Sequence, residues 1–193
     1  MKKIRIALFA SGSGSNALRI MEYFKGHPSI EVALLLSNKS DAGALLHAQN
    51  HKVANYYLSN FEFRDGQSIL EKLKQHQVDA IVLAGFLLLI PSNLIAAYED
   101  KILNIHPSLL PKHGGKGMYG HKVHEAVEKA CERESGITIH LVNERFDEGR
   151  VIAQFRVPLD LGVNATEIEA EVRVLEIVHY APAIENWLLN SGQ

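Results

Sequence analysis

The sequence has a single cysteine, no excess of basic residues and no long hydrophobic run. With Cys131 alone, a disulfide within this sequence is excluded, and such sparing use of cysteine is typical of a reducing compartment. Because 20 basic residues stand against 22 acidic ones, the net charge of −2 argues against a large nucleic-acid footprint. No apolar stretch approaches the length of a membrane-spanning helix, so we expect a cytoplasmic protein that binds neither membrane nor nucleic acid.

The sequence does contain enough apolar residues for a globular core, since 47% of its 193 residues are hydrophobic and 22% are charged. We predict a single domain over residues 1–193. Within it, the pattern of elements changes at about residue 100, which separates an N-terminal half of about 1–100 from a C-terminal half of about 101–193.

Apolar, β-prone runs alternate with segments of helical periodicity along the N-terminal half. Alternation of this kind predicts parallel βαβ units in an α/β fold, with ligands bound at the carboxyl ends of the strands. The predicted strands are 4–10, 31–38, 54–58 and 80–84. The predicted helices begin after Asn16, run from a cap at Asp41 to Gln49, and cover 63–76.

The C-terminal half predicts a different arrangement. Residues 136–142 alternate apolar and polar side chains, which favours a half-exposed strand in an antiparallel or mixed part of the sheet, and residues 151–157 alternate again. A helix is predicted over 121–132, with Cys131 as a buried packing residue. A capping box at Thr166 opens a long helix to about Leu189, with Pro182 as a kink or break.

Residues 11–16, Ser-Gly-Ser-Gly-Ser-Asn, lie between the first predicted strand and the helix after it. Small residues before a helix N-terminus favour an anion site, because glycine lets a phosphate approach backbone N–H groups closely. The segment matches neither the dinucleotide fingerprint nor the P-loop, since no glycine–lysine pair follows. A single phosphomonoester is therefore the predicted ligand, and an ordinary turn of small residues is the alternative.

The strongest chemical signal lies at the end of an apolar run that Pro107 stops. Asn104 and His106 stand two residues apart there, so they share one face of a strand. An amide beside an imidazole can stabilise an oxyanion and carry a proton at a carbonyl carbon. The alternative is a strand end whose polar groups only cap a turn. Residues 11–16, 85–90 and 104–111 each follow a predicted strand, and we expect them to meet at one edge of the sheet.

The segment after this strand, residues 110–119, contains three glycines, one proline and two lysines. This composition predicts a mobile loop that can act as a lid. His113, His121 and His124 have no cluster of carboxylates or cysteines beside them, so their spacing does not predict a zinc site. We expect them to be solvated, and no metal is predicted.

Three motifs taken together resemble the folate-dependent formyltransferases. They are Asn104-x-His106-Pro107-Ser108-Leu109-Leu110-Pro111, Gly136-x-Thr138-x-His140 and Asp147-x-Gly149. The resemblance covers the chain from Ile4 to about Trp187. It implies an α/β, Rossmann-like formyltransferase fold, in which a mostly parallel sheet has helices on both faces and a mixed or antiparallel C-terminal part.

The resemblance is greatest to the family members that act on a ribonucleotide. It implies transfer of a formyl group from 10-formyltetrahydrofolate, as co-substrate, to the amine of 5'-phosphoribosylglycinamide in de novo purine biosynthesis. The N-terminal half would hold the phosphate, and the C-terminal half would bind folate and carry out catalysis. The implied ribonucleotide-binding residues are Gly14, Ser15, Asn16, Arg173 and Glu176, of which Glu176 would hold the amine and Arg173 would reach the phosphate.

The resemblance also implies a folate site. Its residues are Arg64, Leu87, Leu88, Leu89, Ile90, Asn104, Asn143, Glu144 and Asp147, with Arg64 meeting the glutamate tail. Two features depart from the family pattern. Leu87-Leu88 stands where Met-Arg is common, which removes a polar contact, and the loop at 112–121 carries an unusual Gly-Gly-Lys-Gly run.

The implied catalytic residues are Asn104, His106 and Asp147. A carboxylate at Asp147 would favour the charged form of the His106 imidazole, and neither a metal nor a covalent enzyme intermediate is needed. We expect only small-molecule substrates and a monomer or weak homodimer. Two alternatives remain open: a formyltetrahydrofolate deformylase, in which water replaces the amine, and a non-catalytic module that binds a phosphorylated metabolite.

Overall fold

The structure is a computed structural model that describes residues 2–190, and in that range it contains seven strands and seven helices. The strands are β1 (Ile4–Ala10), β2 (Ile30–Ser37), β3 (Ala54–Tyr57), β4 (Ala80–Leu83), β5 (Ile102–His106), β6 (Glu134–Leu141) and β7 (Val151–Pro158). The helices are α1 (Ser15–Tyr23), α2 (Gly43–Asn50), α3 (Asn60–Asp65), α4 (Gln67–Gln75), α5 (Ser92–Ala97), α6 (His121–Lys129) and α7 (Ala165–Asn190). No helix in this range is long and apolar enough to cross a membrane.

The strands are hydrogen-bonded in the order β3-β2-β1-β4-β5-β6-β7. Pairing is parallel between β1 and β2, β1 and β4, and β2 and β3, and it is antiparallel between β6 and β7. The predicted α/β fold, with a mostly parallel sheet and an antiparallel C-terminal part, is therefore confirmed. The chain divides into two compact units, one ending at Leu103 and the other beginning at Asn104.

The core of the N-terminal unit is built on β1 and β2. Residues 6–10 and 34–36 have no exposed surface, as expected for strands covered on both faces of a parallel sheet. Phe9 packs edge-to-face against Phe63 and Phe86, with ring centroids 5.8 and 5.6 Å away. These contacts hold the carboxyl end of β1, where the chain turns into residues 11–16.

The single helix predicted over 63–76 is wrong, because Gly66 divides it into α3 and α4. Gly66 has a left-handed backbone (φ 75°), which ends α3, and a Cβ there would lie 2.4 Å from the Asn93 side chain. The start of α3 is fixed by a capping box between Ser59 and Glu62. The predicted Asp41 cap of α2 is also wrong, since Ala42 occupies that position and no side chain caps it.

In the C-terminal unit, the prediction that β6 is half-exposed is wrong. Its residues from Ser135 to Leu141 are all buried, including the polar Thr138 and His140. Alternating polar and apolar residues are typical of a half-exposed strand. Here the polar side chains of Thr138 and His140 are buried and form hydrogen bonds within the protein instead of facing solvent. The strand predicted over residues 151–157 is β7, and it pairs antiparallel with β6.

The cap of the long helix α7 lies two residues earlier than predicted. Asn164, not Thr166, is its cap: the Asn164 side chain accepts from the N–H groups of Thr166 and Glu167, and the Glu167 carboxylate accepts from the Asn164 N–H. Pro182 lies inside α7 without breaking it. Cys131, expected to be buried, is exposed and lies just after α6 with a φ of 50°.

Candidate active site

The end of β5 carries the two residues on which the sequence argument depends. Ile102 and Leu103 are buried, which anchors the strand in the sheet, and Pro107 stops it immediately after His106. The His106 side chain is 5% exposed. Asn104 is partly buried, two residues earlier in the same strand. The prediction that both residues lie at the end of a buried strand is therefore confirmed.

The His106 imidazole is held between a backbone carbonyl and a carboxylate. Its Nε2 lies 2.9 Å from the His113 carbonyl oxygen, and since a carbonyl only accepts, Nε2 carries a hydrogen. Its Nδ1 lies 3.5 Å from Asp147 Oδ2. With Nε2 engaged by the loop, Nδ1 is the ring nitrogen that faces the carboxylate.

Asp147 reaches this position from the turn between β6 and β7. Its backbone is left-handed, with a φ of 58°, a conformation that is strained for any side chain other than glycine and is best tolerated by asparagine and aspartate. The carboxylate is 11% exposed, and its Oδ2 accepts a hydrogen bond of 2.9 Å from the Gly115 N–H. The turn thus aims a largely buried negative charge at His106.

His140 completes the cluster, although it was not predicted as a site residue from the sequence. Its Nδ1 lies 2.9 Å from the Leu141 carbonyl oxygen, and its Nε2 lies 3.1 Å from Asn104 Nδ2. Burial lowers the pKa of His140, which keeps the ring neutral at pH 7. A neutral ring that donates through Nδ1 must accept through Nε2, so the Asn104 amide is oriented with its NH₂ group toward His140.

A signal for His140 was present in the sequence. It lies two residues after Thr138 on a strand, and it belongs to one of the motifs that carry the family resemblance. Asp147 Oδ1 is 3.7 Å from His140 Nε2, so the carboxylate stands close to both histidines. An amide, two imidazoles and a carboxylate within such distances can stabilise an oxyanion and move a proton.

The loop after β5 is attached to this cluster. The His113 carbonyl accepts from His106, and the Gly115 N–H donates to Asp147, so two points of the predicted lid are bonded to candidate catalytic side chains. A Cβ on Gly114 would press on the flexible end of the Leu110 side chain and would lie 3.3 Å from Asp147 Cβ, so the glycine lets the loop approach Asp147 closely.

The histidines near this loop differ in their surroundings. His121 is exposed, and its Nδ1 lies 2.6 Å from Glu169 Oε2, a contact that raises the pKa of His121. His124, expected to be solvated, is instead 3% exposed, and its Nδ1 has no hydrogen-bond partner. Burial lowers the pKa of His124. Over residues 2–190, no three His, Cys, Asp or Glu side chains are grouped so as to hold a metal.

The predicted phosphate loop belongs to the N-terminal unit. Gly14 has a left-handed backbone (φ 78°) and no side chain caps α1, which begins at Ser15. A Cβ on Gly14 would lie 2.5 Å from Ala44 Cα, so this glycine is required by packing against α2. Gly12, by contrast, is exposed, and a Cβ added there would have no neighbouring atom within 4 Å. Ser15 and Asn16 are both partly buried in the first turn of α1.

Residues 11–16 and 85–90 meet within the N-terminal unit, as expected. The Ser11 N–H donates to the Gly85 carbonyl at 3.0 Å, and Ser11 Oγ accepts from the Leu87 N–H at 3.1 Å. Leu87 and Leu89 are 46% and 48% exposed, while Leu88 is partly exposed and Ile90 is buried. Arg64 is exposed on α3.

The remaining predicted binding residues lie in the C-terminal unit. Asn143 Oδ1 accepts from the Arg145 N–H, and Glu144 is exposed. On α7, Arg173 is exposed and Glu176 is partly buried. The negative charge of Glu176 and burial together raise the pKa of Tyr180, with burial as the main cause. Of the predicted site residues, the structure brings Asn104, His106 and Asp147 into one cluster.

Comparisons with known proteins show the family to which the chain belongs. Residues 4–184 match the family described as Formyl transferase. The chain is 42% identical over 184 residues to the chloroplastic phosphoribosylglycinamide formyltransferase of Arabidopsis thaliana, covering 92% of this chain but only 62% of that protein. It is 35% identical over 193 residues to the Bacillus subtilis phosphoribosylglycinamide formyltransferase, covering 97% and 95% of the two chains. The crystal structure of phosphoribosylglycinamide formyltransferase from Bacillus halodurans superposes with a TM-score of 0.87 at 32% identity, covering 98% of this chain and 97% of the other.

Proposed function

Because the chain belongs to the formyl transferase family, we propose that it transfers a formyl group from 10-formyltetrahydrofolate to the amine of 5'-phosphoribosylglycinamide. The products are formylglycinamide ribonucleotide and tetrahydrofolate, and the reaction is a step of purine biosynthesis. The observation that carries this proposal is the cluster of Asn104, His106 and Asp147, because these groups suit attack of an amine on a formyl carbon.

The proposed reaction begins with the amine, whose lone pair forms a bond to the formyl carbon. The carbonyl oxygen becomes an oxyanion, which needs donors already in place. Asn104 gives one N–H to His140 and keeps its second for the oxyanion. The His106 ring, whose Nδ1 lies 3.5 Å from the Asp147 carboxylate, is the second group that we assign to the developing negative charge.

The second step releases the folate. The tetrahedral intermediate collapses, the bond from carbon to N10 breaks, and the proton lost by the amine is passed to N10. Nδ1 of His106 and the Asp147 carboxylate are the groups we assign to this transfer, since Nε2 is committed to the His113 carbonyl. Every bond change is between the two substrates, so no covalent enzyme intermediate is required.

We assign the ribonucleotide to Gly14, Ser15, Asn16, Arg173 and Glu176. The backbone at the start of α1 binds the phosphate, as helix N-termini do. Glu176 on α7 holds the amine, and its partial burial supports a role beyond that of a solvated surface charge.

The folate is assigned to Arg64, Leu87–Ile90, Asn104, Asn143, Glu144 and Asp147. Leu87 and Leu89 present apolar surface after β4, which suits a flat heterocycle. We further propose a single formyltransferase domain whose N-terminal half holds the phosphate and whose C-terminal half binds folate and catalyses. The protein acts on small molecules as a monomer or weak homodimer in the cytoplasm.

One assay tests this function. The protein is mixed with 10-formyltetrahydrofolate, with and without the ribonucleotide, and folate absorbance is followed. Turnover only with the ribonucleotide is the expected result. Turnover without it would identify a deformylase, an alternative that the names of the transferase relatives do not favour. Binding of both ligands without turnover would mean a binding module.

A further inference from the structure

A group of buried and partly buried hydrogen bonds supports the turn that follows His106. We call it the turn support: the side chains of Thr138 and Gln154 together with the backbone of Ser108 and Leu110. Thr138 on β6 has no exposed surface and faces Gln154 directly across the antiparallel pair with β7. Gln154 Nε2 lies 2.9 Å from the Leu110 carbonyl oxygen and 2.9 Å from Thr138 Oγ1.

The donors and acceptors of Thr138 are all in use, and one of its partners is Gln154. Thr138 Oγ1 accepts from the Leu110 N–H at 2.9 Å and from Gln154 Nε2, so both of its lone pairs are used. Its single hydrogen then goes to the Ser108 carbonyl at 2.6 Å. Gln154 is the one side chain in this group that bonds both the turn backbone and the threonine that holds it.

The turn support is connected to the catalytic imidazole by two further hydrogen bonds. Ser108 Oγ donates to the Lys112 carbonyl at 2.7 Å, and this bond fixes the backbone that leads into His113. The carbonyl of that residue, His113, accepts from His106 Nε2 at 2.9 Å. A shift of Ser108 or Leu110 therefore moves the carbonyl that orients the His106 ring, and with it the Nδ1 that faces Asp147.

We propose that Gln154 is a positioning residue for formyl transfer, holding the turn 108–113 so that His106 keeps its orientation toward Asp147. This inference rests on the proposed function. Gln154 touches no reacting atom, so its loss should lower turnover and leave substrate affinity nearly unchanged. Misplacing a catalytic group by about 1 Å can cost about a hundredfold in rate.

The first variant is Gln154→Leu, which keeps the approximate size of the side chain and removes both donors. We expect kcat to fall about tenfold or more, while KM for each substrate stays within about twofold. The matched control is Arg156→Ala. Arg156 lies two residues further along β7 and lines, with Gln154 and the turn, a cavity of about 200 Å³, but its guanidinium hydrogen-bonds the exposed Glu134. Its kcat should equal that of the wild type.

The second variant, Gln154→Glu, separates positioning from simple loss of stability. An ionised glutamate has no hydrogen to donate, whereas a protonated one can donate a single hydrogen bond. The kcat of Gln154→Glu relative to wild type should therefore rise as pH falls from about 8 to about 5.5, at a temperature where both proteins are folded.

The outcomes are distinct. A wild-type protein without formyl-transfer activity would refute the proposed function itself. An active wild type with unchanged kcat in Gln154→Leu would overturn only the positioning role. If Gln154→Leu proves poorly folded, a relative kcat of Gln154→Glu that does not change with pH would overturn the role instead. A pH-dependent ratio together with an unaltered Arg156→Ala variant supports it.

Discussion

Replacing Asp147 by asparagine is the sharpest test of the proposed chemistry. Asparagine has nearly the same shape and tolerates the left-handed backbone that Asp147 adopts, so the fold should be kept. What disappears is the negative charge 3.5 Å from His106 Nδ1. The variant therefore isolates the electrostatic contribution of the carboxylate.

The magnitude follows from the distance. A protonated His106 and an ionised Asp147 at 3.5 Å would interact by about 5 kcal/mol at an effective dielectric constant of about 20. The two side chains are 5% and 11% exposed, so burying them costs solvation energy, and we take about half of the attraction as the net effect. About 2.5 to 3 kcal/mol corresponds to a loss of about a hundredfold in rate.

The assay is steady-state formyl transfer at pH 7, followed by folate absorbance, with unfolding curves recorded in parallel. The matched control is Glu148→Gln, which removes a charge from the next residue, where the carboxylate is exposed and pairs with Arg145. Asp147→Asn should lose about a hundredfold in kcat while Glu148→Gln stays near wild type. An Asp147→Asn variant with near-normal turnover would refute the reasoning, because the charge would then not be needed.

The remaining predictions concern four other positions. His106→Ala should be at least as inactive as Asp147→Asn; a folded, fully active variant would show that the central motif has been misinterpreted. Gly12→Val, at an exposed position with open space for a side chain, should raise the dissociation constant of the ribonucleotide far more than that of folate, and equal losses would contradict a dedicated phosphate site. Glu176→Gln should raise KM for the ribonucleotide and lower kcat without changing folate affinity; silent kinetics would make Glu176 only a surface charge. Because burial lowers the pKa of His124 and His140, the unfolded chain binds more protons below pH 6.5, so the free energy of unfolding should fall from pH 7 to pH 5, less steeply in His140→Gln.

Gly12 is a better position for this test than Gly14 because of packing. Gly14 is the glycine next to α1 and is the one that the family resemblance assigns to the ribonucleotide. The structure shows that a Cβ there would first collide with Ala44 and would also strain a φ of 78°. Loss of binding in such a variant would report damaged packing rather than phosphate contact.

Local patterns predicted the parallel part of the fold well. The runs at β1, β2, β3 and β4 were found within one residue at each end, because a strand buried on both faces is a continuous apolar run between turn residues. The division at Gly66 was not predicted, since a single glycine inside a helical pattern does not reveal whether its φ is positive.

Burial was harder to predict where polar residues bond to one another. Thr138 and His140 indicated a solvated face of β6, yet their partners, Ser108 and Asn104, lie 30 and 36 residues away. The alternation of polar and apolar residues within one strand carries no information about partners that lie so far away in the sequence. For a similar reason, His124 was expected in solvent, whereas α6 turns it inward beside Val123 and Val127.

The core of the site was predicted from two residues at one strand end, and its third member came from the family resemblance. The tautomer of His140, the orientation of the Asn104 amide and the role of Gln154 required distances, because each depends on which atom donates to which.

The left-handed backbone of Asp147 limits which residues can replace it. Glycine relieves the backbone strain and asparagine tolerates it well, so folding stability alone would favour both over most other residues. Neither supplies a carboxylate. Aspartate combines tolerance of this backbone with a carboxylate, so the backbone and the proposed chemistry together restrict the position more than either does alone.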